Sequence, residues 1–150
     1  MKIRFALLSI ALISASSYLF AKNDDKSEAP VEVRLAAASK LLKDSSAISL
    51  VYVKGLVCPS CAIGVRKNLS KMKGVDKKRF RDGIDMNPET QLVTIALKED
   101  GTIDNKDLME RVEDAGYIAI EEYKLHDGHL DAHRFQKDAS VDVDHHESRK

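Results

Sequence analysis

Between Ile48 and Leu125 the apolar residues switch from alternating to helical spacing and back, twice over, and this doubled pattern constrains the chain more than any other feature. Ile48 to Lys54 alternates, with Val51 and Val53 on one face and Leu50 and Tyr52 on the other, and reads as a strand. From Cys61 the apolar positions become Ala62, Val65, Leu69 and Met72, one stripe of a helix for which Gly74 is the expected C-cap. Two strands follow, about Arg79 to Met86 and Gln91 to Lys98, joined by the turn-forming run Asn87-Pro88-Glu89-Thr90, with Gly83 as a candidate bulge. Asp104 is placed to N-cap a second helix, with Ile103 and Leu108 as its hydrophobic staple and Val112 and Ala115 continuing the stripe. Gly116 should end that helix, and Tyr117 to Leu125 reads as a last strand.

The order is therefore β-α-β-β-α-β. Two strand–helix–strand halves bury both helical stripes when a four-stranded antiparallel sheet carries both helices on one face with right-handed crossovers. The expected fold is α+β and ferredoxin-like. That fold serves many functions, so function has to be read from a site.

The flanks differ from this middle. Lys2 and Arg4 precede an apolar run from Phe5 to Ile13 broken only by Ser9, and small residues follow, so residues 1–21 read as a secretory signal peptide, with an uncleaved anchor as the alternative. Export, to the periplasm in a bacterium, is the expected localisation. Residues 22–47 read as a polar, flexible spacer in which Leu35, Ala38, Leu41 and Leu42 allow a short helix. Residues 48–125 form the domain, and 126–150 read as a disordered His/Asp-rich tail holding His126, His129, His133, His145 and His146. With locally helical backbone, His126, His129 and His133 would share a face and could capture Cu(II), Zn(II) or Ni(II); a solvated tail is the alternative.

Charge narrows the partners. The 150 residues carry 24 basic and 24 acidic side chains, so no global field recruits nucleic acid or an anionic membrane. The two cysteines, Cys58 and Cys61, stand at the strand-to-helix junction in Gly55-Leu56-Val57-Cys58-Pro59-Ser60-Cys61. A bridge between them would close a very short loop, the least stabilising place for a structural disulfide. At a helix start the unpaired N–H groups and the helix dipole favour an anion, so the thiols should ionise easily. A thiolate is both a metal ligand and a nucleophile, leaving soft-metal binding and disulfide exchange open.

The run Gly55 to Cys61, with Val65, Leu69, Met72, Gly74-Val75 and Ala115-Gly116-Tyr117, resembles the heavy-metal-associated domain over roughly half the chain, Ser49 to Leu125. That family includes copper chaperones, modules of copper-transporting ATPases and a periplasmic mercury-binding protein. The resemblance implies that Cys58 and Cys61 hold the metal and that Tyr117 lies near them. Leu56-Val57 departs from the family's usual Met-Thr: Leu56 keeps an apolar anchor beneath the loop, whereas Val57 lacks a hydroxyl.

Two thiolates suit Cu(I) first and Hg(II) second; Zn(II) normally wants four ligands and ranks behind them. The expected partners are the metal ion and a metal-transporting membrane protein or another metal carrier, with no nucleic acid and no small-molecule substrate. Nothing in the chain marks a catalytic acid or base, so the protein reads as a carrier and not an enzyme. The competing readings are a thioredoxin-like thiol–disulfide oxidoreductase, because Cys-Pro-Ser-Cys follows a strand and opens a helix, and a metal-free interaction domain.

Overall fold

The computed structural model describes residues 28–45, 47–60 and 62–136. The expected signal peptide, Cys61, His145 and His146 lie outside the described residues. Within them the order is α1 (Val31–Asp44), β1 (Ile48–Lys54), α2 (Ala62–Leu69), β2 (Ile84–Asn87), β3 (Leu92–Ala96), α3 (Asn105–Glu113), β4 (Ile118–His126) and β5 (His129–Arg134). Among the described residues no helix is long and apolar enough to cross a membrane.

The strands form one sheet in the order β2-β3-β1-β4-β5, and each neighbouring pair is antiparallel. Its first four members reproduce the ferredoxin-like order expected from the sequence. The fifth corrects the strand count. His129–Arg134 falls in the stretch read as a disordered tail, but it folds back on β4 and pairs from His126↔His129 to Glu121↔Arg134. The turn between them, Asp127-Gly128, has positive φ at both residues (50° and 82°), the type I′ geometry whose twist matches paired strands.

Both faces of β1 are apolar because both are covered. Val51 and Val53 meet Val65, Leu69, Leu108 and Val112 from α2 and α3, with Ile84, Val93 and Ile95 from the neighbouring strands. Leu50 and Tyr52 point the other way and pack with Leu92, Tyr123 and Ala38 of α1, flanked by Leu41, Leu42 and Leu130. The segment read as a flexible spacer thus contributes a third layer. Arg34, buried in α1, stacks 3.7 Å over the Tyr52 ring and donates from Nε to the Tyr123 hydroxyl at 3.0 Å.

Helix ends explain the remaining differences. α2 stops at Leu69, short of the expected Gly74, because Lys71 and Met72 donate to carbonyls three residues back, a tightening that still delivers Met72 and Val75 to the core. Gly74 is a close-approach residue: a Cβ there would lie 2.3 Å from the Thr102 carbonyl oxygen. The first hairpin arm begins at Ile84 and not at Arg79, since Phe80 and Asp82 adopt positive φ and turn the chain first. α3 follows its signals. The Asp104 side chain accepts from Asp107 N at 2.9 Å, and Gly116 N→Glu113 O with Tyr117 N→Val112 O closes the helix in a Schellman pair. Asn68 and Arg111 exchange side-chain to backbone hydrogen bonds at 3.2 and 3.3 Å, fixing α2 against α3.

Candidate metal centre

The loop between β1 and α2 is held at its base before its cysteine is reached. Lys54, the last residue of β1, forms an ion pair with Glu28 at 2.5 Å. Gly55 turns the chain at φ 85°, and Val57 N donates back to Gly55 O at 2.9 Å. Leu56 is completely buried and belongs to the core shared by α2 and α3, which makes it the apolar anchor expected at that position. Val57, half exposed, points outward.

Cys58 follows, partly exposed between two exposed neighbours, Val57 and Pro59. Its Sγ lies 3.5 Å from the Ser60 hydroxyl, an interaction set by their two-residue spacing in a tight turn and not anticipated from the sequence. Ile63 N donates to Ser60 O at 3.4 Å, coupling the loop to the first turn of α2. Ala62, Val65 and Leu69 hold that helix on the core.

Cys58 is disulfide-bonded. The chain contains one other cysteine, Cys61, which is outside the described residues. In this state Cys58 offers no thiol to ionise.

Tyr117 is close to the loop. A Cβ added to Gly55 would lie 3.7 Å from Tyr117 Cδ1, so the ring covers the glycine at the loop base while packing against the core. Beside it, Ile118 opposes Lys54 in the sheet register and is exposed, as are Val57 and Ile63. The loop therefore emerges among apolar side chains.

The histidines separate. His126 and His129 face each other across the β4–β5 turn, whereas His133 pairs with Glu122 farther along the hairpin. A shared helical face for the three is overturned by the hairpin. Among the described residues no three His, Cys, Asp or Glu side chains converge as a metal-binding group.

The cysteine-bearing loop thus lies between the first strand of a ferredoxin-like sheet and the helix that follows it. Residues 50–117 match the family model of the heavy-metal-associated domain, the family that the sequence resembles. No curated protein and no solved structure gives a significant match.

Proposed function

We propose that the protein is an exported carrier of one soft metal ion, Cu(I) first and Hg(II) second, held between the thiolates of Cys58 and Cys61 after reduction. The observation that carries this reading is the position of Cys58: a partly exposed sulfur in the segment that matches the heavy-metal-associated family model, on a loop anchored by the fully buried Leu56. The anchor fixes the loop while the sulfur stays open to an incoming ligand.

Loading requires the disulfide to take two electrons and two protons from a thiol reductant. The dithiol then gives up its protons as the metal binds. Delivery proceeds by exchange: an incoming thiolate or thioether from a membrane transporter or another carrier adds to the ion, and one of the original thiolates leaves. Nothing in this cycle alters a covalent substrate, and the protein acts as a carrier and not as an enzyme.

The disulfide of Cys58 favours a second reading, thiol–disulfide exchange without metal. One experiment separates the two. The reduced chain lacking residues 1–21 is titrated anaerobically with Cu(I) against a competing chelator, alongside a Cys58→Ser/Cys61→Ser variant. Tight one-to-one binding lost in the variant supports the carrier. Absence of cysteine-dependent binding, together with metal-independent reduction of a test disulfide, would move the redox reading to the front.

A further inference from the structure

The hairpin β4–β5 holds two imidazoles that the loop site does not use. His126 and His129 are direct partners in the register, flanking the two-residue type I′ turn. Side chains directly opposite in an antiparallel pair project from the same face, with Cα atoms about 5 Å apart, close enough for two imidazoles to converge on one ion. Both residues are exposed.

The surroundings favour a cation. Asp127 Oδ2 lies 3.3 Å from His126 Nδ1. A carboxylate at that nitrogen orients the ring and leaves Nε2 as the ligating atom. Asp131 is two residues from His129, on the same face of β5, and supplies further negative charge. The ammonium opposite Asp131, on Lys124, is drawn to Glu122 Oε2 at 2.9 Å.

We propose that His126 and His129 form a second metal site, for a divalent ion of borderline softness, with water completing the coordination. Imidazole with carboxylate nearby selects Cu(II), Ni(II) or Zn(II), and Cu(II) heads the affinity order. The site is distinct from the loop. Ile118 pairs with Lys54 at the loop end, and the nine residues of β4 place His126 about 26 Å away at roughly 3.3 Å per residue. The proposal is independent of the carrier reading, because it concerns the form in which Cys58 is oxidised.

The test is a Cu(II) titration of the oxidised full chain, followed by electron paramagnetic resonance and by paramagnetic broadening of backbone amide signals. Nitrogen ligation is expected, with broadening centred on residues 124–131. His126→Ala or His129→Ala should each weaken binding at least about tenfold, as expected for loss of one of two strong donors. His133→Ala and His145→Ala/His146→Ala should leave that affinity unchanged. His126, His129 and His133 are exposed, so their substitutions leave the core untouched, and unchanged amide spectra without metal would verify the fold of every variant. Binding that survives in the His126→Ala and His129→Ala variants, or that disappears with His145→Ala/His146→Ala alone, would overturn the proposal.

Discussion

The Nε of Arg34 donates a hydrogen bond to the phenol oxygen of Tyr123 at 3.0 Å, joining α1 to β4 on the buried face of the sheet. The same guanidinium stacks on Tyr52, donates from an Nη to Ala29 O at 3.0 Å and lies 4.0 Å from the Glu121 carboxylate, which accepts from Tyr123. A buried cation so surrounded is costly to remove, because its removal leaves polar partners unsatisfied in a closed layer. Arg34→Ala should destabilise the protein by about 2–4 kcal/mol in chemical denaturation and make α1 the first site of limited proteolysis.

Tyr52 behaves differently although it touches the same guanidinium. Its hydroxyl is buried and has no hydrogen-bond partner among the described residues. Deleting an unsatisfied buried hydroxyl removes a desolvation penalty and keeps the ring for stacking. Tyr52→Phe should therefore be neutral or stabilising by up to about 1 kcal/mol, measured by the shift in denaturation midpoint.

Alkaline pH should act through Tyr123. Burial, reinforced by its hydrogen bond to the Glu121 carboxylate, pushes its pKa up from 10.0 to about 12. Between those values the unfolded chain has released the proton that the native protein retains, so stability falls as pH rises through this window, by at most about 3 kcal/mol from this group. Below pH 10 the contribution is fully present. A phenolate absorbance titration should show a late phase that is missing in Tyr123→Phe.

Two glycines with nearly the same φ should respond differently to alanine. At Gly83 (φ 84°) a Cβ would lie 2.3 Å from Val75 Cγ1 and 2.9 Å from Asp76 O, whereas at Gly116 (φ 84°) it would meet nothing within 4 Å. Gly116→Ala carries only the left-handed conformational cost, about 1–2 kcal/mol. Gly83→Ala adds a steric clash and should exceed it by at least about 1 kcal/mol in thermal or chemical unfolding.

Much of this architecture is legible in the residue pattern. Ile48–Lys54 forms the expected strand over its full span, and Asp104 and Gly116 bound the expected helix because their local hydrogen bonds determine those ends. The third layer is harder to read. α1 presents Ala38 and two half-buried leucines to the sheet, while Val31 and Val33 are exposed, so its apolar stripe is weak, and its docking depends on Arg34, a residue that composition assigns to solvent. β5 has Leu130 as its one large apolar residue, which hid it in a polar stretch, although Asp127-Gly128 is a strong two-residue hairpin signal. The loop's position followed from the strand-to-helix change of period; the disulfide of Cys58 did not, because spacing alone is compatible with either redox state.

Without β5, the nine-residue β4 would be an open rim of the sheet. Pairing with β5 occupies Glu121 to His126, leaving as outer strands the four-residue β2 and a β5 rich in charged and imidazole side chains. Short or charged borders offer a poor template for another extended chain. The hairpin thus protects each molecule from joining its neighbours strand to strand.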